Sequence, residues 1–556
     1  MNEATLEYSR WLAHVDDPEL AAELRGLAGR DKSITERFDG SLTFGTAGLR
    51  GVMSAGTKRM NIYVIRKATQ GLADYLKTFS DNTDRGVAIA YDTRRNSRRF
   101  AHEAARVLTA NGIRVWLFDD IAPTPMLAFS IRNLGAKAGI VVTSSHNPPE
   151  YNGYKVYWEN GVQIGPGVAN ALTAAIDAVP YDFSPVQTGD VTAGNGITFI
   201  GETVFTDYFQ ALAEHASFQK DTAVKLDTGI VYTALNGTGT KHVRTALHGY
   251  GFTNIVEVRE QCVPDPDFST VGRHPNPEEK SAYRLARKYA DVNSCDVIIA
   301  TDPDADRVGV MYREASGEFR LVSGNELGAL LLHHIISKLQ AAGRLAANSF
   351  MVTTVVTGDR TERLAQLAGV EVYRTLTGFK YICGKADELI SAGEGEFIFG
   401  FEESGGYTAT PFVLDKDGIM CALLIAEMAG KLAAAGRTIG DAIEDIHALV
   451  GYHADSLINI AEGAAAYENV VDMMEDWRRE MPAQVAGLNV IGKLDYLHDN
   501  TEMEKENLYK IWFSEHAWLA MRPSGTEPKI KIYMAVWDED RVLADNRLAQ
   551  MEALFR

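Results

Sequence analysis

Long apolar runs are missing from this chain of 556 residues. The longest, such as Leu327 to Ile336, stop well short of the ~20 residues that a membrane-crossing helix needs. The first twenty residues carry acids and no unbroken apolar core, so no secretory leader is expected. Cysteine is scarce. Cys262, Cys295, Cys383 and Cys421 are scattered without paired spacing, which argues against a disulfide framework and a zinc site and points to a reducing cytoplasm. Positive charge is also short: 55 Lys and Arg stand against 74 Asp and Glu, a formal net charge of −19. That balance speaks against nucleic acid or a membrane surface as partner. It leaves room for a small anionic ligand, which feels nearby Arg, Lys and amide dipoles more than the global sum. A Walker loop is absent as well, because Asn236-Gly237-Thr238-Gly239-Thr240-Lys241 has the wrong spacing and reads as a tight strand-to-helix turn.

What the chain does have is an alternation of short apolar strands and amphipathic helical stretches, the pattern of α/β layers. Its length asks for about three to five domains. Gly86–Tyr91, Arg114–Phe118 and Ala138–Thr143 read as strands, with a helical run over Arg98–Asn111. A second block holds strand Ile230–Tyr232, helix Lys241–Tyr250 and strand Asn254–Val258. A third holds strand Phe350–Val355, helix Arg360–Ala368 and strands Val370–Tyr373 and Glu396–Gly400. One long helical stretch, Gly418 to Leu449, follows. The pattern then changes to a helix, Ala464–Arg479, and hairpin-like strands Leu508–Phe513 and Trp518–Arg522. The expected domains are 1–204, 205–322, 323–450 and 451–556, three similar α/β units and a different fourth.

The densest chemical signal is Thr301-Asp302-Pro303-Asp304-Ala305-Asp306-Arg307, directly after the apolar run Asp296–Ala300. Three carboxylates at alternate positions need something positive among them, and a hard divalent cation suits oxygen ligands while leaving positions open for a phosphate. An EF-hand is excluded, since its sixth position would be Gly and is Arg307, and its twelfth would be Glu and is Arg313. A solvated acidic turn is the bland alternative, and Arg307 weighs against it because a fixed cation beside a metal site suits a phosphate.

Four further loops carry functional groups. Thr143-Ser144-Ser145-His146-Asn147-Pro148-Pro149 hangs off a buried strand, where α/β sheets usually bind ligands, and Lys155 follows within reach. It reads either as a nucleophile loop or as a polar turn. Arg522-Pro523-Ser524-Gly525-Thr526 offers a guanidinium, two hydroxyls and loop amides to a phosphate. Gly400-Phe401-Glu402-Glu403-Ser404-Gly405-Gly406 places carboxylates where vicinal sugar hydroxyls could donate, and Phe44–Gly51 is a glycine-spaced loop that includes Arg50. Each taken alone could be an ordinary surface loop.

Together these motifs make the chain resemble the α-D-phosphohexomutase superfamily, in its phosphoglucomutase and phosphopentomutase branch, one motif per domain in the family's order. The resemblance implies an α/β protein of four domains around a central cleft, three doubly wound mixed α/β domains plus a C-terminal antiparallel-sheet α+β domain. It implies an isomerase that interconverts glucose 1-phosphate and glucose 6-phosphate through a phosphoserine and glucose 1,6-bisphosphate. Pentose or mannose phosphates are the alternative substrates, and a metal-dependent phosphatase is a more distant alternative. By resemblance Ser145 carries the phosphoryl group, and Asp302, Asp304 and Asp306 hold Mg²⁺ together with an oxygen of phosphorylated Ser145. Lys155, Arg50, Arg307 and His146 surround the reaction, with Lys155 the candidate for proton transfer. Glu402 and Ser404 contact sugar hydroxyls, Thr377, Gly378 and Lys380 help tell the sugar's ends apart, and Arg522, Ser524, Gly525 and Thr526 clamp the other phosphate. Two departures stand out: Ser144 where the family usually has Ala, and Gly406 where some mutases have a His. The partners expected are small sugar phosphates, with a monomer or weak oligomer in the cytoplasm.

Overall fold

A computed structural model describes residues 2–45, 48–79, 82–187, 189–514, 516–523 and 529–555. The chain divides into two compact units, Met1–Leu321 with Gly406–Lys431, and Val322–Gly405 with Leu432–Arg556.

The first unit contains two sheets. One has the order Leu49–Val52, Tyr151–Trp158, Ala138–Val142, Val87–Tyr91, Val115–Phe118, Ile197–Ile200. Its inner strands are parallel, while Tyr151–Trp158 runs antiparallel to Ala138–Val142. Val87–Tyr91 and Ala138–Val142 are buried at every position, as expected of strands covered by helices on both faces. Helices Ile62–Leu76 and Ser97–Ala110 pack closely in this layer. The short helices before Leu49 are tied down by Trp11, which is fully buried and meets Phe38, Tyr63, Tyr181 and Phe183 edge-on at 5.2–5.7 Å. The second sheet runs Phe319–Leu321, Val308–Arg313, Val297–Thr301, Ile230–Thr233, Ile255–Glu257.

In the second unit Ser349–Thr354 pairs parallel with Glu371–Thr375 on one side and Glu396–Glu402 on the other. Helix Gly324–Ala341 starts at a capping box, Ser323 with Glu326. The C-terminal sheet is antiparallel throughout, in the order Tyr452–Ala461, Lys529–Asp538, Ala517–Pro523, Tyr509–Phe513, Leu488–Asp495, Gln484–Val485. Three α/β/α domains and a C-terminal antiparallel sheet are therefore present, in agreement with the sequence pattern.

One expectation fails. The long helix over Gly418–Leu449 is two helices, Gly418–Ala434 and Ile439–Val450. Gly436 takes φ 67° between them, and Thr438 opens the second helix with its own capping box to Asp441. Among the described residues no single helix is long and apolar enough to cross a membrane.

Candidate active site

In the first unit, Ala138–Val142 and Val297–Thr301, one from each sheet and each paired parallel with a neighbour there, deliver two loops at their carboxyl ends, the usual ligand position of an open α/β sheet. Thr143 Oγ1 donates to Asp92 Oδ2 at 2.7 Å and accepts from the Ser145 amide at 2.9 Å. Ser145 sits at φ 51°, a left-handed conformation that is uncommon outside glycine and is held only by its surroundings. Its Oγ donates to Asp302 Oδ2 at 2.6 Å and lies 3.2 Å from His146 Nδ1. The neighbouring Ser144 hydroxyl is buried and has no hydrogen-bond partner among the described residues. Of the two serines, Ser145 is the one presented to the acidic loop.

Arg94 holds this conformation, and sequence reasoning missed it. Its fully buried guanidinium donates to the carbonyls of Ser145, Asn147, Pro148 and Tyr151. It also pairs with Asp92 at 3.2 Å and lies 4.8 Å from the Phe268 ring centroid. A signal was available in Asp92-Thr93-Arg94 directly after a buried strand, but the residue's direction is a property of the fold. Arg50 donates to Asn147 Oδ1 at 3.1 Å, so it braces the same loop.

The acidic loop is the hairpin turn between Val297–Thr301 and Val308–Arg313. Ala305 adopts φ 52°, and the Arg307 amide donates to Asp302 Oδ1 at 3.0 Å. The glycine-rich turn buttresses it: the Thr238 amide donates to the Pro303 carbonyl at 2.8 Å. A Cβ on Gly237 would stand 2.3 Å from Pro303 Cα, so only glycine admits this approach. The Arg307 side chain pairs with Glu278 at 3.3 Å. Arg307 and Arg50 add to the effect of burial in holding His146 well below its ordinary pKa.

Asp302, Asp304 and Asp306 are all buried, and each offers one carboxylate oxygen within 4.8 Å of the others. Lys155, on the antiparallel strand Tyr151–Trp158, reaches Asp304 at 3.1 Å and Asp306 at 3.7 Å. Thr124 donates to Asp304 Oδ2 at 3.0 Å. Lys416, which sequence reasoning did not single out, meets Asp306 at 3.3 Å and Asp415 at 3.4 Å. Burial and the other two carboxylates push Asp302 up, and burial with Asp304 pushes Asp306 up. For Asp304 burial works in the same direction and is the largest single effect, but the Lys155 charge, hydrogen bonds to Asp302 and Lys155 and the Lys416 charge together outweigh it and hold the carboxyl low. Asp304 Oδ1 and Asp306 Oδ1 are buried with no hydrogen-bond partner among the described residues. Three hard oxygen donors, two of them with oxygens that meet no proton donor, fit a divalent cation. The triad is able to hold a metal ion.

In the second unit, Glu402 is buried and Glu403 lies next to it. Thr357 Oγ1 donates to Glu403 at 3.1 Å, and burial with the Glu402 charge pushes Glu403 up to about 7. Ser404 and Gly405 complete the turn after this strand. The turn is fixed from below, because a Cβ on Gly324 would stand 1.8 Å from the Glu403 carbonyl. Tyr533, almost fully buried, bonds Arg522 and feels the Glu402 and Glu403 charges. Gly378, at φ 119°, precedes helix Phe379–Ala392. Thr377, Lys380 and Arg522 gather around Glu506, which accepts from Thr377 Oγ1 at 3.2 Å and from Arg522 Nε. Burial lowers Lys380 to about 8. Ser524, Gly525 and Thr526 lie outside the described residues.

Family models for phosphoglucomutase/phosphomannomutase alpha/beta/alpha domains I, II and III match residues 41–181, 206–317 and 323–449. A phosphoglucomutase of Staphylococcus haemolyticus is 36% identical over 514 residues, covering 90% of this chain and 91% of that protein. One from Staphylococcus aureus strain MRSA252 is 34% identical over 550 residues, 96% of each. The fold is shared with a Paramecium phosphoglucomutase solved in an open form, at a TM-score of 0.69, 18% identity and coverage of 92% of this chain and 94% of that one.

Proposed function

The chain belongs to the phosphoglucomutase/phosphomannomutase family, and we propose from this that it is an isomerase moving a phosphoryl group between C1 and C6 of glucose phosphate. The observation that carries the reading is the 2.6 Å bond between Ser145 Oγ and Asp302 inside a buried carboxylate triad. A serine in that place, once phosphorylated, adds about −1.5 to −2 charge to three carboxylates. Such a density of negative charge calls for a cation of higher valence than Lys155 and Lys416 alone provide.

The triad and a phosphoserine oxygen would hold Mg²⁺, which supplies neutralising charge to the phosphoryl group in flight. Phosphorylated Ser145 gives its phosphoryl group to the free hydroxyl of the sugar monophosphate: the Oγ–P bond breaks as the new O–P bond forms, and the proton that the hydroxyl loses is matched by the one that the released Ser145 Oγ takes up. Lys155 is the group proposed to move the proton, and Arg50 and Arg94 keep the loop in place. Glucose 1,6-bisphosphate is the intermediate. It turns end for end and returns its other phosphoryl group to Ser145. Glu402 and Ser404 take the sugar hydroxyls, with Thr377, Gly378 and Lys380 beside them. Arg522, with Ser524, Gly525 and Thr526, takes the phosphate that is not reacting, so its binding energy is spent on position. Arg307 adds positive charge near the serine, and His146, kept neutral by burial and the neighbouring arginines, offers its ring nitrogen to Ser145 Oγ. Four free cysteines suit a reducing cytoplasm.

The test is conversion of glucose 1-phosphate in the presence of Mg²⁺ and trace glucose 1,6-bisphosphate, beside mannose 1-phosphate and ribose 1-phosphate. Fastest turnover of glucose 1-phosphate supports the proposal. A preference for either other sugar keeps the phosphoserine chemistry and overturns the substrate. Stoichiometric release of inorganic phosphate would overturn the mutase reading itself.

A further inference from the structure

We propose that Glu506 is a specificity-determining residue: its carboxylate stands in the phosphate clamp as a resident anion that an incoming ligand must displace. The inference rests on the reading of Arg522 as the clamp for the phosphate that is not reacting.

Glu506 Oε1 accepts from both Arg522 Nε and Thr377 Oγ1. Its charge also acts on Lys380. The guanidinium assigned to the clamp and the hydroxyl of Thr377, from the neighbouring sugar-recognition loop, thus converge on one carboxylate supplied by the chain, and Lys380 of that loop feels its charge. The contact is built by more than one residue. Glu504, two positions earlier, accepts from Tyr381 OH at 3.0 Å, so alternate acids of the segment 502–506 dock on the start of helix Phe379–Ala392. The Glu506 amide is fixed to the Tyr496 carbonyl at 3.3 Å. Arg522 and Glu506 keep 19% and 18% of their side chains accessible, which leaves the pair reachable from solvent.

The consequence follows from charge. A carboxylate carries one negative charge, whereas a phosphate monoester carries about two near neutral pH and presents three acceptor oxygens, a better match to a guanidinium fork. A phosphate therefore gains by replacing Glu506. Chloride or acetate gains little, because each exchanges one monoanion for another. Glu506 sets a threshold that dianionic phosphate passes and monoanions do not.

The experiment uses the full chain with Mg²⁺ and glucose 1,6-bisphosphate, comparing wild type, E506Q, E506A and R522A after confirming unchanged melting behaviour. KM and kcat for glucose 1-phosphate are measured with and without acetate at constant ionic strength. Loss of the resident charge is expected to lower KM about two- to fivefold, the worth of an ion pair that solvent still reaches, with kcat changing less. Acetate is expected to inhibit E506Q and E506A at several-fold lower concentration than wild type. A raised or unchanged KM in both Glu506 variants, while R522A raises KM, would overturn the gate and make Glu506 a support for Arg522. An unchanged KM in R522A would overturn the clamp reading, and the gate with it.

Discussion

Arg94 shows how a residue outside every motif shapes the loop of Ser145, the serine proposed to react. One guanidinium reaches three carbonyls of the Ser145 loop and that of Tyr151, where the next strand starts, and pairs with Asp92. A planar fork with five donors suits that task and a point-like ammonium does not. Arg94→Lys is expected to lower kcat at least about tenfold, the order of one misplaced charge-assisted bond, with KM for glucose 1-phosphate changing less. Unaltered kcat would show that the loop holds its left-handed serine without Arg94. Ser145 was singled out in the sequence by the family resemblance of its loop, and Arg94 was not, because a sequence does not say which way an arginine after a strand turns. The same holds for Lys416: only folding of the segment 406–431 into the first unit brings it to Asp306.

The elements that carry the site are tuned where they touch. The turn at Gly237 presses on Pro303 with no space for a side chain. Gly237→Ala is expected to cost about 1–3 kcal/mol through forced backbone shifts and to raise the Mg²⁺ concentration needed for half-maximal activity. An unchanged Mg²⁺ requirement would separate this turn from the acidic loop. In the second unit Lys510, on strand Tyr509–Phe513, is buried between Trp512 and Trp518 and donates to the Val355 carbonyl at 2.6 Å. Burial, reinforced by Arg374, lowers it to about 7. Below that pH the folded and unfolded chains are both protonated here. Between 7 and the ordinary lysine range of about 10.4 the unfolded chain binds a proton that the folded one has released, so stability rises with pH. The melting temperature of wild type minus that of Lys510→Met should therefore climb from pH 7 to 9.5. A flat or falling difference would contradict the buried-lysine account. The parallel strands were legible because they are short, continuous apolar runs bounded by turn residues. The helix break near Gly436 was not read from the sequence: Gly436-Arg437-Thr438 ahead of Asp441 carried a signal, and the apolar periodicity on either side masked it.

At the scale of the molecule, the four loops proposed to carry the chemistry are distant in sequence, and two compact units divide them. The Ser145 loop and acidic loop lie in the first, and the Glu402 turn and Arg522 lie in the second. The alternation of elements indicated the fold class, and the joint motifs indicated the family. Neither could indicate that an acid at 506 meets an arginine at 522, since that pairing depends on how a connection between antiparallel strands lies on a neighbouring helix. Exhaustive chelation is expected to abolish turnover and Mg²⁺ to restore it. Activity that survives chelation would remove the metal role of Asp302, Asp304 and Asp306.

The most direct measurement is to incubate the enzyme with glucose 1,6-bisphosphate labelled in its phosphoryl groups and to map the label by peptide sequencing. The account predicts one labelled residue, Ser145, discharged to glucose bisphosphate when glucose 1-phosphate is added, and no labelling of the Ser145→Ala variant. Label on Ser144, label that does not chase into sugar, or turnover by the variant would contradict it.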